Sequence, residues 1–317
     1  MRRTTTWLAL GALCLCVLNL VVLAHDEKGK AKKRAIPPKF GSEVNRIFFA
    51  DVFSKLQGER PKKPGAVLTT SAPVGGSPGV AAEGASYAWS KVISAATIED
   101  EIKAIKLNVD KSITTPSEFS GRGHKQVRRD FSILAVMFAI IGEFDDDVRW
   151  KKIGPAARDI FARTARNTKA GGNTNTYNEA KKRKADLQDL MGGASLQIEA
   201  EQAEADWAAV SDRSPLMQRL DRGFEGKMSV WISSQEEFEA NTEDVLHEAE
   251  ITAALSEVLV KEGMEDWDDE DYAGFAKRMK EAAIEISSAV KLNNYDQARK
   301  ASGEVKKACT ECHELYR

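Results

Sequence analysis

A repeated stretch decides the fold prediction: Trp89-Ser90-Lys91-Val92 recurs 118 residues later as Trp207-Ala208-Ala209-Val210. Two apolar residues follow each copy at helical spacing, Ile98 and Ile102 in the first and Leu216 and Leu220 in the second. Two further anchors repeat at nearly the same offset: Ile113–Phe119 with Ile232–Phe238 at 119, and Tyr177–Ala180 with Tyr295–Ala298 at 118. Such agreement over about 90 residues rarely arises by chance, so it predicts two copies of one structural unit.

Both copies have apolar residues at three- and four-residue spacing and no convincing strand alternation, which indicates an all-α fold. Each copy is predicted to contain four helices, near 97–112, 122–143, 153–168 and 177–192 in the first and near 214–230, 240–261, 271–290 and 294–315 in the second. Four helices in roughly 110 residues are typical of an up-and-down bundle, whose core can hold a cofactor between facing helices. We therefore predict two tandem antiparallel four-helix bundles, residues 86–195 and 205–317, joined by the acidic linker Glu199–Asp206.

The N-terminus predicts export. Met1-Arg2-Arg3 precedes an apolar run from Trp7 to Ala24, which is typical of a secretory signal peptide, residues 1–24, cleaved after Ala24. An uncleaved membrane anchor is the alternative, because 18 apolar residues can just span a bilayer. Residues 25–85 are predicted to hold a basic tail, one short amphipathic helix within Phe40–Leu56 and a flexible linker rich in Pro and Gly. We expect a periplasmic or otherwise extracytoplasmic protein, which is membrane-bound only if the signal is uncleaved.

The C-terminus carries the residues that point to chemistry, Cys309-Thr310-Glu311-Cys312-His313. On a helix, thiols at i and i+3 and an imidazole at i+4 share about one turn and point to one side. This spacing predicts haem c, bound covalently by Cys309 and Cys312 and ligated at its iron by His313. A zinc site would need more ligands, and the mature chain offers only His25, His124 and His247 besides His313, with no second Cys pair. A thioredoxin-like redox pair would need a βαβ pattern, which the sequence lacks.

The end of the chain, Ala308-Cys309-Thr310-Glu311-Cys312-His313-Glu314-Leu315-Tyr316-Arg317, resembles the cytochrome c′ family and its low-spin relatives. Asp271-Tyr272-Ala273-Gly274-Phe275 and the turn Lys291–Tyr295 are similar to that family as well. The resemblance covers about 110 residues, from Asp206 onward, and is sharp over about the last 50. It implies an antiparallel bundle with haem between the first and last helices, a role in electron transfer or diatomic gas binding, and frequent homodimerisation.

The first copy lacks the attachment residues. Met191-Gly192-Gly193-Ala194-Ser195 stands where Cys309–His313 stands in the second copy, so it has no thiol and no imidazole for a haem. We therefore predict one haem c per chain. The first copy is interpreted as a degenerate unit that serves packing or contact with a partner.

The resemblance places the distal group of the haem on the first helix of the bundle, which here carries Leu216, Met217, Leu220 and Phe224. Met217 is the candidate iron ligand, because a thioether opposite His313 would give a low-spin haem of raised potential. Its counterpart in the first copy is Glu99. The alternative is an ordinary apolar stripe that leaves the iron five-coordinate beneath Leu216 or Leu220.

Arg317 follows His313 by four residues and shares its helix face. It is predicted either to reach a haem propionate or the proximal imidazole, or to act as a cation at the helix C-terminus.

Composition and motifs narrow the function classes. The chain is 42% hydrophobic and 30% charged with a net charge of −2, and no basic stripe indicates nucleic acid. No acid–base pair or nucleophile constellation stands near the haem motif, so we expect no enzymatic activity. Electron transfer with redox partner proteins is the expected function. The alternatives are a five-coordinate haem protein that binds a diatomic gas such as NO or CO, and a partner-interaction module with a structural haem.

Overall fold

The computed structural model describes residues 87–317, apart from residues 195, 197 and 201–203. These residues belong to one compact unit, Pro78–Arg317. All regular structure in the described ranges is helical and no strand occurs there, which confirms the all-α prediction. The predicted signal peptide, basic tail, short helix and Pro/Gly-rich linker lie outside the described residues.

Eight long helices make up most of the described chain, and each covers one of the eight segments predicted from apolar spacing. None of these described helices has both the length and the apolar character needed to cross a membrane. In chain order they are α1 Ala95–Ser112, α2 His124–Glu143, α3 Gly154–Lys169, α4 Thr174–Met191, α5 Arg213–Gly223, α6 Thr242–Val258, α7 Glu270–Lys291 and α8 Tyr295–Tyr316.

Short helical segments complete the described structure. Two are 3₁₀ helices, two are π-helical turns and four are short α-helices. The 3₁₀ helices are Trp89–Lys91 and Lys151–Ile153, and the π-helical turns are Phe119–Gly123 and Phe224–Met228. The short α-helices are Pro116–Glu118, Trp207–Val210, Ser229–Trp231 and Gln235–Ala240. We call the two copies the first repeat, 86–195, and the second repeat, 205–317.

The two π-helical turns explain why the offset between the repeats changes from 118 to 119 and back. A π turn is wider than an α turn, so it takes up one extra residue while the helix continues. The turn Phe224–Met228 extends α5, so the second repeat is one residue longer by Ile232. The turn Phe119–Gly123 precedes α2 and gives the first repeat its own extra residue. The later helices therefore return to equivalent register.

Equivalent hydrogen bonds show that the repeat is structural as well as sequential. The hydroxyl of Tyr177 donates to the carbonyl of Thr114 at 3.1 Å. At the matching place in the second repeat, the hydroxyl of Tyr295 donates to the carbonyl of Ser233 at 3.2 Å. In each repeat this bond ties the start of the last helix to the loop after the first helix.

The two repeats pack against each other through equivalent surfaces. Trp89 and Trp207 occupy the same position in the two repeats, and their ring centroids are 6.1 Å apart. Helix α2 contacts α5, and the reciprocal pair, α6 and α1, is also in contact. Reciprocal contacts of this kind define an isologous interface, which here forms within one chain. Apolar residues of both repeats consequently form one continuous core.

Candidate functional site

Helix α8 carries both predicted attachment cysteines on its packed face. Asn294 begins the helix, because its side-chain oxygen accepts a hydrogen bond from the backbone N–H of Gln297 at 3.1 Å. Cys309 and Cys312 are half-buried and continue a stripe of small residues that faces α7. The buried residues of this stripe are Ala298, Ala301, Val305 and Ala308. Both thiols therefore face the protein interior.

A pocket lies between α5 and α8, and α6 and α7 complete its walls. Its cavity volume is about 150 Å³, and the pocket is partly open to solvent. Its lining is mainly apolar, with the exposed carboxylates of Asp221 and Glu225 among the polar exceptions. The structure brings four predicted site residues together here: Met217, Cys309, Cys312 and His313.

In the first repeat, larger buried side chains stand at several of the positions that line the pocket in the second. Helix α1 packs directly against α4, whose Leu187 and Leu190 are buried. Their counterparts 118 residues later are Val305 and Ala308, which line the pocket. Protein interiors are close-packed, so the loss of these carbons leaves room between the first and last helices. The pocket of the second repeat occupies this room.

An aromatic cluster contributes to the filling of the first repeat. The ring of Phe161 lies 5.5 Å from that of Phe131 and 5.6 Å from that of Phe138, measured between centroids. Met279, which replaces Phe161 in the second repeat, lines the pocket. All three counterparts in the second repeat are smaller: Ala249, Ser256 and Met279.

The two thiols are free, and burial raises the pKa of both. Burial, and next the neighbouring Cys312, raise the pKa of Cys309 to about 11. Burial also raises the pKa of Cys312, against the opposing charge of Arg213. The sulfur of Cys309 lies 3.5 Å from the sulfur of Met279. In the described ranges, no group of three or more His, Cys, Asp or Glu side chains is arranged to hold a metal ion by itself.

Contacts that the sequence analysis missed fix the last turn of α8 against the start of α7. The hydroxyl of Tyr316 donates to Asp269 Oδ1 at 2.6 Å, and the same oxygen accepts the backbone N–H of Tyr272 at 3.0 Å. The hydrogen bond raises the pKa of Tyr316 to about 12 and lowers that of Asp269. The rings of Tyr272 and Tyr316 meet edge to face at 5.3 Å. The one signal in sequence was an Asp before an apolar-periodic segment, which marks a helix N-cap.

Arg213 is a second residue that the sequence analysis missed. It starts α5, and its guanidinium pairs with Glu265 at 2.8 Å and with Asp266 at 2.5 Å. The same guanidinium lies 5.5 Å from the centroid of the Tyr272 ring. Arg213 therefore ties α5 to the loop before α7 and to an aromatic side chain of the pocket wall.

The α5 wall of the pocket carries Met217, Leu220 and Phe224, whereas His313 lies on the α8 wall. Leu216 is fully buried and does not line the pocket, so Leu220 is the leucine of the predicted pair that stands beside it. Met217 is half-buried. Its ligand role stays a prediction.

Other predicted or considered residues lie away from the pocket. Arg317 is exposed beyond the end of α8 and does not line the pocket, so its propionate role stays a prediction. His124 Nδ1 lies 3.1 Å from the carbonyl oxygen of Phe119, and His247 Nε2 lies 3.0 Å from a carboxylate oxygen of Glu101.

Comparisons of this chain with protein-family models, with curated proteins and with solved structures found no match. The function of the pocket therefore has to be inferred from its own residues and their geometry.

Proposed function

We propose that this protein is an exported c-type cytochrome that carries electrons through one covalently bound haem. We also propose that each repeat is an antiparallel four-helix bundle of the cytochrome c′ type, with the haem between α5 and α8. One observation carries this proposal: Cys309, Cys312 and His313 line a mainly apolar pocket, and the first repeat, which lacks these three residues, has buried leucines where Val305 and Ala308 line it. The attachment motif and a cavity for the cofactor thus coincide in the same repeat.

The donor set fits the cofactor. Cys309 and Cys312 would each form a thioether, as the S–H bond of a thiol adds across a vinyl C=C bond, and His313 would ligate the iron. Leu220 and Phe224 would keep water from the α5 side of the ring. When bound, the haem supplies reversible one-electron chemistry at its iron.

Met217 separates the electron carrier from its main alternative. A thioether ligand on the α5 wall would complete six-coordination and suit electron transfer. The apolar side chains of Leu220 and Phe224 on the same wall favour the alternative, an open iron position that binds NO or CO. Reduced-minus-oxidised spectra with and without CO test this choice. An unchanged spectrum supports the carrier, whereas a CO difference spectrum supports the gas binder.

The partners proposed are redox proteins, and the location is periplasmic or otherwise extracytoplasmic. A structural haem in a partner-interaction module is the remaining alternative, which requires that the haem exchange no electrons. N-terminal sequencing of the exported protein tests the location, and the expected first residue is His25. A protein that begins at Met1 and stays with the membrane would instead carry an uncleaved anchor.

The decisive experiment is a pyridine haemochrome assay on the exported full chain. We expect one haem per chain and none after Cys309→Ala with Cys312→Ala. Met191→Ala is the matched control, because it changes the position of the first repeat that corresponds to Cys309, and it should leave the haem yield unchanged. A wild-type chain with two haems or with none would refute the proposal.

A further inference from the structure

Five charged or ionisable side chains form a network between the two repeats, which we call the inter-repeat network; Glu101, Arg219 and Glu248 at its centre are buried. Arg219 binds Glu101 of the first repeat through two hydrogen bonds, at 2.7 and 2.9 Å. Arg219 also donates to Glu248 at 2.6 Å. Lys227 donates to Glu248 at 2.6 Å, and His247 contacts Glu101 at 3.0 Å. Glu101 is thus the contribution of the first repeat to a network otherwise built by the second.

The side chains of the inter-repeat network interact strongly with one another. Burial alone would raise the pKa of Glu101, yet the guanidinium of Arg219 and the imidazole of His247 bring it well below its usual range. Glu101 and Arg219 are 3% and 7% exposed. Removal of one partner of such a pair leaves a buried charge without compensation, which is costly. The position of Arg219 is therefore set largely by Glu101 and Glu248.

The network adjoins the pocket wall through three covalent or hydrogen-bonded links. Arg219 lies on α5 between Met217 and Leu220, which both line the pocket. Lys227 belongs to the same π turn as Phe224, another lining residue. The carbonyl of Glu248 accepts the hydroxyl of Thr252 at 2.7 Å, and Thr252 also lines the pocket.

We infer that Glu101 of the haem-less repeat is a positioning residue for the haem pocket, acting through Arg219 on the α5 wall. The inference rests on the proposed function and gives the first repeat a role beyond packing. Helix α5 and its π turn carry the distal side chains, and the first repeat fixes their distance from α8. A shift of this wall changes which group faces the iron or how readily a small ligand reaches it.

The test compares Glu101→Gln with Asp100→Asn in the full chain. Asp100 is the matched control, since it neighbours Glu101 on α1 but is exposed and pairs with Lys103 on the surface. Two properties are measured: amide hydrogen exchange of residues 213–228, and the CO-binding rate with the low-spin fraction of the haem. We expect Glu101→Gln to speed the exchange and to change the CO rate or spin ratio, each by about threefold or more, and Asp100→Asn to change neither.

Every outcome decides the inference. Equal exchange in the two variants overturns it, and so does faster exchange with an unchanged haem spectrum and CO rate, because Glu101 would then be structural only. If Glu101→Gln does not fold, Glu101→Asp replaces it, since this variant keeps the charge and withdraws the carboxylate by one methylene.

If the proposed function is wrong, the result differs from those above. A wild-type chain without covalent haem refutes the cytochrome, and the pocket wall is then probed by the alkylation rate of Cys309. A change of about threefold that is specific to Glu101→Gln supports the positioning role in that case, and equal rates refute it.

Discussion

Ala308→Leu places in the second repeat the leucine that is buried at the equivalent position, Leu190, of the first. Ala308 is 3% exposed and lines the pocket, so the three added carbons enter its empty space. In a chain made haem-free by Cys309→Ala and Cys312→Ala, burial of three carbons at about 0.8 kcal/mol each should stabilise the fold by about 2.4 kcal/mol. In the haem-loaded chain the same carbons compete with the cofactor, and overpacking should cost about 1–3 kcal/mol.

The assay is urea unfolding of the full chain, followed by circular dichroism in both backgrounds. The expected result is a change of opposite sign with and without haem. Leu190→Ala serves as the mirror control, because a cavity in the first repeat should cost about 2–5 kcal/mol in either background. A change of the same sign in both backgrounds for Ala308→Leu would show that the pocket is not the place of the cofactor.

Three further outcomes are expected. Met217→Ala should convert low-spin haem to high-spin haem, which the absorption spectrum shows. Met228→Leu is the control, because Met228 is buried outside the pocket lining, and it should leave the spin state unchanged. A wild type that is already high-spin would refute Met217 ligation. Gly223→Ala should lower the free energy of unfolding by about 1–3 kcal/mol, because the new Cβ would collide with Glu248 and Arg219. Gly303→Ala is the control in α8, where the new Cβ meets open space, and it should raise that free energy by up to about 1 kcal/mol. Thermal unfolding measures both. Burial raises the pKa of Asp130 from 3.8 to about 6, so the native state holds this proton more tightly than the unfolded chain. Stability should fall by about 2 kcal/mol between pH 4 and pH 7, as the pH rises through the native pKa. Asp130→Asn should remove that part of the slope, and an unchanged slope would contradict the burial argument.

The sequence predicted the helices because the evidence for them is local. Apolar spacing and polar loops placed seven of the eight long helices within a few residues of their observed ends, whereas the fifth, predicted to end at 230, ends at Gly223 and is followed by a π turn and a short helix. The repeat anchors also revealed the one-residue slip between Leu220 and Ile232. They did not reveal that a π turn absorbs it, since a π turn follows from tertiary packing and has no distinctive composition.

The site was predictable in part. The spacing of Cys309, Cys312 and His313 predicted that all three lie on one helical turn. In the structure they line the α8 wall of the pocket, and Met217 lines the α5 wall. The aligned repeats carry one sign of the pocket, because Leu187 and Leu190 of the first correspond to the smaller Val305 and Ala308 of the second. The pairing of Glu101 with Arg219 could not be predicted, because it joins residues 118 positions apart across an interface that only the folded chain creates.

Trp89 and Trp207 pair two halves of one chain, so this contact does not weaken on dilution. Two separate subunits that pair through such a surface dissociate on dilution, whereas two halves of one chain meet at an effective concentration set by their linker, typically in the millimolar range for a short flexible one. Pairing of the repeats is therefore independent of the concentration of the protein. Because each half is always present beside the other, the two were free to diverge, one toward a filled core and the other toward an open one.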